Sequence, residues 1–250
     1  MIHLLPLPGD PKGVGDFELA MTRALNDAQT LMSSGVSSAI IENFGDAPFW
    51  SECVPPHVSA MMAVIGHAIH QQTGLNLGVN VLRNDAKSAL GVAAAIGAEF
   101  IRINVHTGSV WSDQGLIVGK APQTLMYRRM LGSQTRVFAD IKVKHAVPAG
   151  TTDVVQLAKE ATLRGGADGL IVTGAETGGA CDLEEVRALG MVTKKIGVPL
   201  WIGSGITPDN LDEFLPYIEG AIVGTYFHKD GDIEKPLCGA RIQELLESIS

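Results

Sequence analysis

The sequence predicts an α/β fold of eight βα units in a row, a single domain over residues 1–250. Three observations point there. The length of 250 residues is one at which α/β barrels form a single domain. A helical stretch, a glycine and a short β-branched run recur along most of the chain. The runs are continuously apolar rather than alternating, as parallel strands covered on both faces should be.

The units follow in order. Residues 2–5 form the first strand and residues 17–32 the first helix. Gly35 leads into Ala39-Ile40-Ile41, and residues 58–70 follow as a helix. Gly74 leads into the strand at 77–82, with a helix at 86–96. Gly97 leads into Phe100-Ile101-Arg102-Ile103, and a helix is expected at 124–131. The fifth strand spans 137–143 and its helix 154–163. Gly166 precedes Leu170-Ile171-Val172, then a helix at 183–196. Gly197 precedes Leu200-Trp201-Ile202, then a short helix at 210–215. Gly220 precedes Ala221-Ile222-Val223, then a helix at 240–249. Eight such units make a (β/α)8 TIM barrel. A doubly wound open sheet is the rival, but its nucleotide-binding first turn is absent. The first turn here is Leu5-Pro6-Leu7-Pro8-Gly9, not GxGxxG. Residues 106–122 fit no unit and read as a long loop, a lid over the barrel centred on Asp113, Gln114 and Gly115.

Composition narrows the function. Hydrophobic residues make up 46% and charged residues 18%, a globular mix. The net charge of −8 argues against nucleic acid as a partner, because such proteins need a basic face. No apolar stretch is long enough for an integral membrane segment. The three cysteines form no CxxC pair, so neither a zinc knuckle nor a disulfide framework is suggested, and a cytoplasmic location is expected. A homo-oligomer is compatible with all of this.

Barrel chemistry sits where the strands end. Charged or amide side chains follow nearly every run: Glu42, Asn80, Arg102 with Asn104, and Asp140 with Lys142 and Lys144. Period-two alternation puts Arg102 and Asn104 on one face, and Asp140 and Lys142 on another single face. The expectation is one catalytic pocket holding Glu42, Asn80, Arg102, Asn104, Asp140 and Lys142. Asp140 is the candidate general base and Lys142 its electrostatic partner. Ordinary solvation of strand ends is the plainer alternative. His3 and His145 lie on strands or their ends, whereas His67 and His70 fall on an outer helix. Nothing in the ligand spacing demands a metal, although Glu42, Asp140 and His145 could hold a divalent ion.

The strongest local signal is Ile202-Gly203-Ser204-Gly205-Ile206 together with Ile222-Val223-Gly224-Thr225. Glycines let backbone N–H groups approach an anion, and barrels often bind phosphate after strands seven and eight. Gly203, Ser204, Gly205, Gly224 and Thr225 are therefore the expected phosphate site for a small phosphorylated ligand. A flavin would use the same loops; no cofactor is specified by the sequence.

Long motifs carry a family resemblance: residues 1–9, Glu42-Asn43-Phe44-Gly45-Asp46, Gly78-Val79-Asn80-Val81-Leu82-Arg83-Asn84-Asp85, Ser112-Asp113-Gln114-Gly115, Ala139-Asp140-Ile141-Lys142 and Ile202-Gly203-Ser204-Gly205. Together with Gly224-Thr225 they resemble the BtpA family over nearly the whole chain. The resemblance implies a TIM-type barrel with a phosphate-binding look. It also implies, for phototrophic members, a link to photosystem I biogenesis or stability. It assigns no reaction. Two functional classes follow: a barrel that binds a phosphorylated metabolite and transforms it, by lyase, aldolase, isomerase or hydrolase chemistry, or a non-catalytic assembly factor on an ancestral enzyme barrel.

Overall fold

A computed structural model describes residues 1–143, 145–174, 179 and 181–249. Its strands are β1 (Ile2–His3), β2 (Ser38–Glu42), β3 (Asn76–Asn80), β4 (Phe100–Ile103), β5 (Ser109–Ser112), β6 (Gly115–Val118), β7 (Arg136–Asp140), β8 (Ala146–Pro148), β9 (Gly169–Val172), β10 (Leu200–Ile202) and β11 (Gly220–Ala221). Its α-helices are α1 (Phe17–Ser33), α2 (Pro56–Thr73), α3 (Ala86–Ile96), α4 (Ala121–Met130), α5 (Val154–Lys159), α6 (Leu183–Ile196), α7 (Leu211–Phe214) and α8 (Gly239–Glu247).

Eight strands form one parallel sheet in the order β1-β2-β3-β4-β7-β9-β10-β11. The sheet curls until its two ends meet, where the Met1 nitrogen donates to the Val223 carbonyl at 2.8 Å. The helices pack outside, so the fold is the (β/α)8 barrel read from the sequence. Gly74, Gly97 and Gly197 end α2, α3 and α6 in the left-handed conformation, the device that marked the αβ junctions.

The two faces of the strands make two separate cores. Ile41, Val79, Ile101, Val137, Leu170 and Leu200 point outward and pack with helix residues such as Leu31, Ile65 and Leu90. Met1, Ile40, Phe100, Phe138, Ile171 and Ile222 point inward, against Trp201. The aromatic rings fill the barrel: Phe138 lies 4.2 Å from Trp201 and 5.3 Å from Phe100, centroid to centroid. Gly169 makes room for this plug. A Cβ there would stand 2.4 Å from the Phe138 ring.

Two expectations need correction. The fifth barrel strand stops at Asp140 instead of running to residue 143. Ile141 still donates to the Ile171 carbonyl at 2.8 Å, and then the chain bends away from the sheet. The 106–122 segment is not a plain loop: β5 and β6 form a hairpin, and β8 adds a third antiparallel strand. Val110 and Ile117 bury their side chains beside Val105, while Trp111, Leu116 and Val147 pair across the strands on the exposed face.

Candidate functional site

One step of two residues converts the apolar plug into a polar mouth. Along each inward face, Met1 is followed by His3, Ile40 by Glu42, Gly78 by Asn80, Phe100 by Arg102, Phe138 by Asp140, Ile171 by Thr173, Trp201 by Gly203 and Ile222 by Gly224. A pocket of about 430 Å³ opens over this layer. It is lined by His3, Glu42, Arg83, Arg102, Asn104 and Asp140 on one side, and by Gly203 to Thr207 and Gly224 to Tyr226 on the other.

The charged heart of the layer is a buried pair. Arg102 Nε and Nη2 donate to the two Asp140 carboxylate oxygens at 2.9 and 3.0 Å, and Asn104 Nδ2 adds a third bond at 2.9 Å. Burial alone would pull the Arg102 guanidinium down, but the adjoining Asp140 carboxylate outweighs it and holds Arg102 above its ordinary value. Asn80 lies beside them, donating to the Arg102 carbonyl at 3.1 Å and to Asn104 Oδ1 at 3.3 Å. Arg83 brings a second guanidinium to the rim. Burial pushes its pKa below the ordinary value, with Asp113 at the hairpin tip, Asp140 and Glu42 opposing.

Lys142 does not join this group. It follows the strand end and pairs with Glu185 of α6, and it faces a neighbouring cavity beneath the hairpin. The alternation that placed it beside Asp140 holds only while the strand continues. Lys144 lies outside the described residues. Asp140 has both oxygens committed to Arg102 and Asn104, which suits a residue that positions the guanidinium better than one that takes a proton. His145 also lines the pocket, and among the described residues no group of three His, Cys, Asp or Glu side chains could hold a metal ion.

Opposite the charges stand the two glycine segments. The Gly203 amide is spent on the Val172 carbonyl at 2.8 Å. Among the described residues, the amides of Ser204, Gly205, Gly224 and Thr225 have no protein acceptor, although they line the pocket. The Ser204 hydroxyl is engaged, accepting from the Gly174 amide and donating to the Gly179 carbonyl, both at 3.3 Å. Gly205 has φ +76°, a conformation that turns this loop back over the mouth at no steric cost only for glycine.

Sequence reasoning missed His228. It follows the last barrel strand, is fully buried, and places Nε2 3.1 Å from Nδ1 of His3. His3 in turn sets Nε2 3.8 Å from a Glu42 carboxylate oxygen. The signal that was available was His3 itself, an imidazole on an inward strand position.

Fold and mouth together define a (β/α)8 barrel with a polar, partly charged site at the C-terminal ends of its strands. The chain belongs to the BtpA family, whose model matches residues 1–250. It is 38% identical over 250 residues to the photosystem I biogenesis protein BtpA of Synechocystis, covering 100% of this chain and 86% of that one. Among solved structures it resembles a 3-hexulose-6-phosphate synthase, with 16% identity, TM-score 0.58, and 92% and 95% of the two chains covered. Orotidine 5′-phosphate decarboxylase from Pyrococcus horikoshii is similar at TM-score 0.58 and 12% identity, covering 92% of this chain and 94% of that one. At such identities these two likenesses speak for the fold alone.

Proposed function

We propose that the barrel mouth binds a small phosphorylated metabolite and transforms it. The observation that carries this reading is the set of backbone amides at Ser204, Gly205, Gly224 and Thr225, which have no protein acceptor among the described residues and belong to residues lining a pocket that also holds Arg83 and Arg102. Uncommitted amides beside guanidinium groups suit a dianionic phosphate, and they follow the two strands where barrels commonly place it. Solved barrels of similar fold, named as an orotidine 5′-phosphate decarboxylase and a 3-hexulose-6-phosphate synthase, carry phosphate-bearing compounds in their names. The whole pocket, about 430 Å³, has room for a sugar-sized body together with its phosphate. Phosphate at the glycine loops would leave that body over His3, Glu42 and the Arg102–Asp140 pair.

A second reading is an assembly role, favoured by the name of the Synechocystis relative. Against it, the distinctive polar residues of the chain face the mouth instead of an outer surface. Native mass spectrometry of the purified protein, followed by thermal shifts with inorganic phosphate and a panel of sugar phosphates, separates the two. Stabilisation by phosphate but not by chloride at equal ionic strength supports the metabolite reading; no shift with any phosphate compound overturns it. Absorbance of the purified protein in the flavin bands would move the assignment to a flavin phosphate.

A further inference from the structure

We infer that His3 is the proton-accepting residue of the mouth, with His228 as its positioning residue. The inference deepens the metabolite reading by naming the proton chemistry of that site. It rests on a chain of hydrogen bonds whose directions are fixed from one end. The Lys235 carbonyl can only accept, and it lies 2.6 Å from His228 Nδ1, so that nitrogen carries the hydrogen. Burial of the His228 ring, with nothing of it exposed, holds it neutral. Its Nε2 is therefore an acceptor. His3 Nδ1, 3.1 Å away, must donate to it. In neutral His3 the lone pair is then confined to Nε2, the nitrogen on the Glu42 side, and both residues line the pocket.

Packing fixes the ring as well as the tautomer. His3 is stacked against His228 at 5.3 Å between centroids and tilted against Phe44 at 4.9 Å. The arrangement is a held imidazole on the pocket wall, with its basic nitrogen 3.8 Å from a carboxylate that can balance charge. An O–H, or a C–H beside a carbonyl, of a phosphorylated ligand would give its proton to Nε2. The bonding pair stays on the ligand, an N–H bond forms on the ring, and the imidazolium so made faces the Glu42 carboxylate at 3.8 Å. Asp140 is a poorer acceptor, because three donors already occupy its oxygens.

Long-range proton–nitrogen correlation spectra of the full chain, labelled with ¹⁵N-histidine, read the tautomer directly at pH 8. The His3 resonances are assigned by their disappearance in His3→Gln. The expected result is a pyrrole-type Nδ1 and a pyridine-type Nε2 in the wild type. His228→Gln, whose amide oxygen can still accept, should keep that tautomer, and His228→Leu should give a mixture of the two. A wild-type His3 protonated on Nε2 overturns the inference, and so does a His228→Leu protein with the wild-type tautomer. Should His228→Leu fail to fold, the wild-type spectrum still decides. None of these spectra depends on phosphate, so failure of phosphate to stabilise the protein would remove the metabolite reading and leave this one standing.

Discussion

Arg102 of β4 grips Asp140 of β7 through two parallel hydrogen bonds, with their side chains only 6% and 1% exposed. Two strands of the barrel are thus tied at the floor of the pocket. A buried pair of this kind adds little net stability, but removing one partner leaves a charge stranded without water. Asp140→Ala should lower unfolding stability by about 3–5 kcal/mol. The double variant Arg102→Met, Asp140→Leu should recover most of that loss while abolishing any ligand binding that needs the guanidinium. Denaturant midpoints at constant m-value measure both. A wild-type midpoint for Asp140→Ala would mean that the pair is not the tie described.

The glycine loops supply a separate expectation. Inorganic phosphate at 100 times its dissociation constant should stabilise the wild type by about 2.7 kcal/mol. Gly205→Val must hold a β-branched residue at φ +76°, which strains the loop and moves its amides. The variant should fold and should lose at least half of the phosphate-induced shift. An undiminished shift would place the anion elsewhere.

The aromatic plug predicts a packing effect remote from the mouth. Gly169→Ala drives a methyl to within 2.4 Å of the Phe138 ring, so the ring or the strand must move. Overpacking of this size costs about 1–3 kcal/mol. Adding Phe138→Leu should return part of that loss, and thermal unfolding of the single and double variants gives the coupling. Additive effects would show that the two positions do not touch.

Two buried histidines set a pH dependence. His106, whose Nε2 meets the Gly165 carbonyl at 2.8 Å, and His228 are both held below the ordinary imidazole value by burial. In the unfolded chain each takes a proton near pH 6.5. Between that pH and the lower native values the unfolded state binds more protons than the native state. The contribution of these two rings is therefore full above about pH 6.5 and declines as the pH falls, by at most about 1.4 kcal/mol per unit for each ring, and the buried Met1 amino group, lowered from 8.0 to about 6, adds a decline of the same sign that begins near pH 8. Midpoints measured from pH 7.5 to 5.5 should show the decline, and His106→Gln should flatten it. Asp46, raised by burial, acts in the opposite sense but only above its ordinary value of 3.8, as stability falls with rising pH. A midpoint that rises on acidification from pH 7.5 to 5.5 would contradict the assignment.

The barrel was legible because its punctuation is local. A glycine after a helix and a β-branched run after the glycine are properties of short windows, and they located six of the eight barrel strands; the first and the fifth were placed by the gaps that remained. The inward step from Phe100 to Arg102 and Asn104 was legible for the same reason, since alternation is a two-residue rule. It misled at Lys142 because a strand's end is set by its neighbours, and β9 stops supporting the ladder at Ile141. The hairpin was written in the sequence as Val110 and Ile117 flanked by Trp111 and Leu116, but apolar residues on both faces hid the alternation. His228 was out of reach of any window. Its significance comes from His3, 225 positions away.

That separation has a consequence for the protein's synthesis. The ribosome delivers Arg102 and Asp140 in mid-chain, and their strands can pair long before translation ends. His3 emerges among the first residues yet waits for His228 and Lys235, and the barrel seam waits for Val223. A chain released early, or clipped before its final βα unit, keeps the guanidinium and half of the amide cradle but has no backed imidazole. Such a chain also keeps an open sheet edge, an unpaired row of backbone groups that invites association with other chains.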